Sequence, residues 1–220
     1  MNIILLGAPG AGKGTQAKKL AERFNLSLVG TGDMFRRALS NKTPLGLKAK
    51  EYMNKGALVP DELVFEIIQD NLSQDDWERG LLFDGFPRTL AQAEKLDTML
   101  AEQNNKIDRV LYIEVPDSIL IDRLVNRWMC GNCNKIYNPE TMPSDRRCSA
   151  CGGELTKRAD DTPETVQKRL IEYKEKTEPI ITYYKGRNGL FERIDGSLTI
   201  QQVFERLRKA CESTHAPQQT

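Results

Sequence analysis

IILLGAPGAGKGT, residues 3–15, decides how the rest of the chain reads. An apolar run of strand length meets a glycine-rich turn, and the turn opens into a segment whose apolar residues recur at helical spacing. Gly7, Gly10, Gly12 and Gly14 let the backbone curl so that successive N–H groups point inward, with the positive end of the next helix beneath them. Such a cradle, Gly10, Ala11, Gly12, Lys13, Gly14 and Thr15, binds the phosphates of a nucleoside triphosphate, and Lys13 adds a point charge for the outer ones. A plain glycine turn is the competing reading, and the complete strand–loop–helix context favours the nucleotide. Gly14 is a departure: such loops commonly carry a magnesium-binding hydroxyl there, and here the hydroxyl comes one residue later, at Thr15.

Outward from that loop, short apolar runs at 2–6, 26–29, 81–84, 110–115 and 190–194 alternate with helical patterns at 13–24, 90–102, 118–127, 163–185 and 200–210. This alternation predicts an α/β fold, a five-stranded parallel sheet covered by helices. It fails twice. Two or three helices are expected between the second and third runs, and no strong helical period appears between 127 and 163. Both stretches read as insertions, giving a core of 1–29, 60–125 and 162–220, a helical insert at 30–59 and a second insert at 126–161. A chain of 220 residues suits one substantial core with insertions of this kind.

With 39% hydrophobic residues, 29% charged and a net charge of +1, the chain is expected to be an ordinary soluble protein without a broad polyanion-binding surface. The first apolar run is too short, and interrupted too early, for a signal peptide or membrane anchor, so the expectation is a cytoplasmic protein with no membrane partner. The tail, 213–220, reads as a frayed end, and the lone histidine within it, His215, is given no role.

Two features bear on phosphate chemistry beyond the first loop. LLFD ends with Asp84 at the carboxyl end of the third strand, beside the loop if the two strands are neighbours, where a carboxylate would hold magnesium or its waters. The alternative is that Asp84 caps the next helix. GTGDMFRRAL brings Arg36 into the first turns of a helix, and GFPRT presents Arg88 directly after Asp84. Two arginines from separate strand ends suit a dianionic phosphate, since each guanidinium donates a planar fork of hydrogen bonds. Residues 30–59 hold six basic and two acidic residues; a solvated basic helix face explains that charge as well as a site does, and the arginine positions tip the balance.

Four of the five cysteines form two CxxC pairs, Cys130 with Cys133 and Cys148 with Cys151, separated by fourteen residues. That is the spacing of a four-thiolate structural zinc site with no open coordination position. A redox pair and unrelated thiols are the alternatives. An insert of roughly 35 residues buries little apolar area, while ordering each residue costs about 1–2 kcal/mol. A structural zinc supplies about 10–16 kcal/mol, enough to hold such an insert as one stiff piece. Cys211, alone near the end of the last helix, is expected to be a packing or semi-exposed residue. Residues 126–161 hold six basic against five acidic residues, so the ribbon is a poor nucleic-acid surface.

GAPGAGKGT, TGDMFR, DGFPRT, DRLVNR and KRADD ahead of TVQKRLIEY, in this order, resemble the adenylate kinase family in its bacterial form with a long, metal-carrying lid. The resemblance spans about Met1 to Ala210. It implies a P-loop NTPase-type core, a monophosphate-binding insert and a zinc-ribbon-like lid, and reversible phosphoryl transfer from MgATP to AMP giving two ADP; a monomer is expected, since nothing in the sequence requires more. The cofactors implied are magnesium with ATP and a structural zinc.

The same resemblance assigns catalytic roles to Lys13, Arg88, Arg123, Arg158 and Arg169. It places Arg123, Arg127, Ile136, Tyr137 and Leu198 with ATP, the last through its backbone, and Arg158 and Arg169 toward the monophosphate. Thr31, Arg36, Ala57, Leu58, Val59, Gly85, Phe86, Pro87, Arg88 and Gln92 match AMP-contacting positions, with Gln92 as the side chain able to select the base. Arg123 and Arg127, four apart on a predicted helix, are expected to share a face. No general base is needed, because the attacking phosphate oxygen is already ionised. Two alternatives remain open: a kinase for another nucleoside monophosphate, or a nucleotide-gated protein that binds nucleic acid through the ribbon.

Overall fold

The structure is a computed structural model that describes residues 1–158, 160–187 and 189–213. His215 and all of the predicted frayed tail except Ser213 lie outside the described residues. At the centre is a five-stranded parallel sheet of β1 (Ile3–Leu6), β2 (Ser27–Gly30), β3 (Leu81–Asp84), β4 (Arg109–Glu114) and β8 (Phe191–Asp195), in the order β2-β3-β1-β4-β8. Each strand lies within about a residue of its apolar run. β1 is buried along its whole length because both sheet faces are covered, which is why it reads as a continuous apolar run instead of an alternation.

One face packs under α1 (Lys13–Phe24), α7 (Asp117–Val125), α8 (Pro163–Glu172) and α10 (Ile200–Glu212), with Ile3, Leu5, Leu82, Leu111 and Ile113 meeting Leu20, Leu120, Val166 and Leu207. Cys211, fully buried, belongs to this layer. The other face carries α4 (Asp61–Asn71), α6 (Leu90–Glu102) and α9 (Pro179–Lys185), through Phe65, Ile68, Leu96 and Tyr184.

Between β2 and β3 the chain forms four helices where two or three were expected: α2 (Thr31–Ser40), α3 (Pro44–Lys55), α4 and α5 (Gln74–Arg79). The additional one, α5, is a six-residue helix fixed by a Ser73/Asp76 capping box. α2 and α3 pack so closely that a Cβ on Gly46 would lie 2.3 Å from the Ala38 carbonyl carbon. The segment expected to lack helix forms a separate antiparallel sheet, β6-β5-β7, of β5 (Trp128–Cys130), β6 (Ile136–Tyr137) and β7 (Leu155–Lys157).

The single helix expected over 163–185 is interrupted. α8 gives way to a π-helical turn, Tyr173–Thr177, in which Glu178 N–H reaches back to the Tyr173 carbonyl, and α9 restarts at Pro179. Proline has no N–H for the helical ladder and crowds the carbonyl four residues earlier, so the ladder shifts register ahead of it. The turn aims Thr177 Oγ1 at the Arg88 carbonyl, which it meets at 2.9 Å. Among the described residues no helix is long and apolar enough to cross a membrane.

Candidate active site

The neighbouring strands β2, β3 and β1 run parallel, so their carboxyl ends release three loops at one edge of the sheet. β1 leads into the glycine loop, β2 into Thr31 and α2, and β3 into Asp84, Gly85 and Arg88. Gly10 and Gly12, at φ 87° and 93°, provide the left-handed turns of the cradle. Lys13 closes back over the loop, its ammonium donating to the carbonyls of Gly7 (2.6 Å) and Ala8 (3.0 Å). Burial brings its pKa down to about 8, with Asp84 pushing it up and Arg88 down.

Asp84 pairs in register with Leu5, so its carboxylate stands beside the loop as expected. It explains the missing hydroxyl: a Cβ at residue 14 would already lie 3.3 Å from Asp84 Oδ2. Burial raises the Asp84 pKa above the usual carboxylate range, and the Lys13 charge opposes the rise. A carboxylate held so close to the cradle, partly charge-compensated, is the donor type that magnesium or its waters take.

Arg36, Arg88, Arg158 and Arg169 face one cavity, together with Thr31, Ala57, Leu58, Val59, Gly85 and Gln92. The apolar end of this cavity is formed by Phe35, Met53 and Val64. Arg88 is shaped by its own loop, with Nε donating to the Gly85 carbonyl at 2.7 Å, while Thr31 Oγ1 donates to the same carbonyl at 3.1 Å. Burial lowers the pKa values of Arg36 and Arg88; neighbouring guanidinium groups push the same way, and Asp33 and Asp84 respectively oppose it.

Four carboxylates that the sequence reading left without roles hold this array. Arg158 grips Asp160 with a two-bond fork of 3.0 and 2.8 Å, and Arg127 grips Asp161 with one of 2.7 and 2.6 Å. Arg169 spans both acids, at 3.1 Å from Asp160 Oδ2 and 2.9 Å from Asp161 Oδ1. Burial opposes ionisation of Asp160, yet Arg158 and Arg169 hold its carboxyl far below the usual range. Asp33 pairs with Arg36, and Asp61 binds Gln92. KRADD contains the first pair in plain view, with Arg158 two residues from its partner Asp160, while Arg127 and Arg169 reach the pair from outside that run.

Several predicted residues sit differently from expectation. α7 ends at Val125, so Arg127 is off the helix and does not share a face with Arg123. Instead Arg123 donates through both terminal nitrogens to the Gly196 carbonyl, 3.1 Å each, while Arg127 turns to Asp161. Phe86 is a core residue, 1% exposed and edge-on to Phe65, and does not line the cleft; Pro87 lines the adjoining space beside Lys13. Tyr137 turns inward, into the small core of the insert, whereas Ile136 is exposed. Leu198 packs part-buried against the α10 side of the core.

The four cysteine sulfurs lie within 4.8 Å of one another. A tetrahedral ion with bonds of about 2.3 Å places its sulfurs about 3.8 Å apart, so Cys130, Cys133, Cys148 and Cys151 fit a zinc-sized ion. The Tyr137 hydroxyl, 3.2 Å from Cys148 Sγ, favours the thiolate and draws that pKa down to about 6.

A nucleotide cradle that opens onto a second, arginine-lined anion cleft defines a P-loop phosphotransferase acting between two phosphate-bearing substrates. Comparison with known proteins narrows the class. The adenylate kinase family model matches residues 5–189. The chain is 49% identical over 209 residues to adenylate kinase of Clostridium tetani (94% of this chain, 96% of the relative) and 50% identical over 207 to that of Lachnoclostridium phytofermentans (93% and 95%). It is 48% identical over 214 residues to adenylate kinase of Archaeoglobus fulgidus (96% and 98%). The chain belongs to the adenylate kinase family, and its chemistry is phosphoryl transfer between ATP and AMP.

Proposed function

We propose that the residues of this edge divide the reaction as follows. Residues 10–15 and Lys13 hold the ATP phosphates, with Arg123 and Arg127 at the ATP end. Arg36 and Arg88 hold the AMP phosphate, and Arg158 and Arg169 lie between the two. Magnesium, when bound with ATP near Asp84, neutralises and orients the phosphates. The residues of the chain do the rest: the arginines offset charge on the transferring group and align donor with acceptor, and no proton needs to be abstracted.

The observation that carries this reading is the single cavity onto which Arg36, Arg88, Arg158 and Arg169 converge from four elements, next to Lys13. Asp160 and Asp161 hold the guanidinium forks of Arg158 and Arg169, so in this reading substrate phosphate meets arginines already oriented.

The helices within 30–59 and the ribbon of 126–161 act, in this reading, as separate pieces that close over AMP and ATP, excluding water that would otherwise accept the phosphoryl group. Zinc in the four-cysteine site keeps the ribbon stiff. We place the enzyme in the cytoplasm as a monomer with no nucleic-acid partner; the near balance of charge in the ribbon supports the last point.

The test is ADP formation from MgATP with AMP, CMP, UMP and GMP in parallel, for wild type and Arg88→Ala. Turnover is expected with AMP alone, and the variant should lose about 100- to 1,000-fold in kcat/KM, the usual effect of removing one donor from a charge-stabilising site. Equal turnover with another monophosphate would reassign the acceptor.

A further inference from the structure

Gln92 is 1% exposed on the wall of the monophosphate cavity, at the start of α6. A primary amide is nearly symmetric in shape but not in chemistry: turned over, it exchanges an acceptor for a donor. Two contacts decide which way round it lies. The Arg88 backbone N–H, which can only donate, meets Gln92 Oε1 at 2.7 Å. The Asp61 carboxylate, which can only accept when ionised, meets Gln92 Nε2 at 2.6 Å. Thr89 closes the ring, donating from Oγ1 to Asp61 Oδ2 at 3.1 Å and accepting the Gln92 backbone N–H at 3.1 Å. A reversed amide would set NH2 against N–H and oxygen against carboxylate.

We propose that Asp61 is a positioning residue for base selection, fixing the orientation of the Gln92 amide and so favouring adenine over 6-oxopurines. The inference rests on the reading that Gln92 meets the base of the monophosphate. Once Arg88 and Asp61 have taken their shares, the amide has one N–H and one lone pair left. Adenine sets an exocyclic amino donor beside a ring-nitrogen acceptor. Hypoxanthine and guanine place a carbonyl acceptor where that donor was and, along the N1 edge, an N–H where the acceptor was. A fixed amide matches the adenine order; one free to turn over also accommodates the reversed order. Of the two contacts, the one to Asp61 is charge-assisted, and such bonds are roughly twice as strong as neutral ones.

The experiment measures kcat/KM for AMP and for IMP with labelled MgATP in wild type, Asp61→Asn, Asp61→Ser and Gln92→Leu. Asparagine keeps the shape but can present either oxygen or NH2 to Gln92. Serine keeps an oxygen at the helix start yet is too short to reach the amide, so it separates a role in starting α4 from one in orienting Gln92.

Both Asp61 variants are expected to lower the AMP-to-IMP ratio about tenfold, because a hydrogen-bonding site discriminates through the partners it leaves unpaired. The AMP change should appear more in KM than in kcat. Equal losses with AMP and IMP, or no change in the ratio, would overturn the proposal. Gln92→Leu is the control on the underlying reading. If it leaves the ratio intact, Gln92 does not read the base and both statements fall; if it collapses the ratio while the Asp61 variants do not, only the role of Asp61 falls.

Discussion

Lys13 shows at the scale of one residue how the site is poised. Its ammonium rests on two loop carbonyls, and burial has drawn its pKa to about 8 from an ordinary 10.5. The phosphates of ATP supply the charge that burial lacks and push it up again. ATP affinity should therefore be full below about pH 8 and decline as pH rises through it, with about one proton taken up per nucleotide between that pH and the raised value of the complex. The linkage has the opposite sign for the nucleotide-free fold. There the unfolded chain holds the Lys13 proton more tightly, so this group adds stability as pH rises from about 8 to 10.5. Calorimetry of ATP binding in two buffers of different ionisation enthalpy reads the proton directly. Lys13→Met should abolish the uptake, and an uptake that survives the substitution would assign it elsewhere.

Among the elements, the four-cysteine insert has the least apolar support. Among the described residues its buried apolar cluster is Cys130, Tyr137, Cys148 and Leu155, far smaller than either layer of the main core. Two of the four belong to the cysteine cluster proposed to hold zinc, and in that reading the ion and not apolar burial carries the order of this piece. Stripping the metal with a strong chelator should lower Tm and raise hydrogen exchange within 128–157 first, with activity remaining below the new transition. Loss of all turnover in a still-folded metal-free protein would give the ion a role beyond stiffening.

This element also marks what the sequence makes legible. CxxC spacing is local, so the site is readable, but strands of two and three residues leave no period to find, and the ribbon's sheet is invisible. The glycine loop, Asp84 and Arg88 are legible for the same reason: each is a local pattern at a strand end. The short reach of α7 and the π turn before Pro179 are not, because periodicity continues through both. Nor are the pairings of Arg127 with Asp161 and of Gln92 with Asp61, since acids are abundant and contacts across 34 and 31 residues have no signature in a single chain.

Across the whole molecule, the insert is joined to the core at its root and again at its tip. At the root Arg127 and Asp161 pair, and Lys157 Nζ reaches the Val125 carbonyl at 3.2 Å. At the tip Lys18, on α1 directly behind the glycine loop, donates to the carbonyls of Cys133 and Asn134 at 3.3 and 3.2 Å. Asn134 holds a left-handed turn with φ 56°, so the carbonyls that Lys18 meets belong to the knuckle of Cys130 and Cys133, two of the four clustered cysteines. In the proposed reading, the cysteine site, the ribbon tip and α1 are thus linked through Lys18, and this contact counts toward lid closure. A partly exposed contact of this kind is worth about 0.2–1 kcal/mol, which shifts a closed-to-open balance by no more than about fivefold. Lys18→Met keeps the stem and removes the donor. If reopening limits turnover, kcat and the KM for ATP should both rise, by about two- to fivefold. In metal-stripped protein the same substitution should change neither, because the knuckle no longer presents its carbonyls. Equal effects with and without the metal would show that Lys18 acts on α1 alone, and no effect in either would remove the tip contact from the closure of the enzyme.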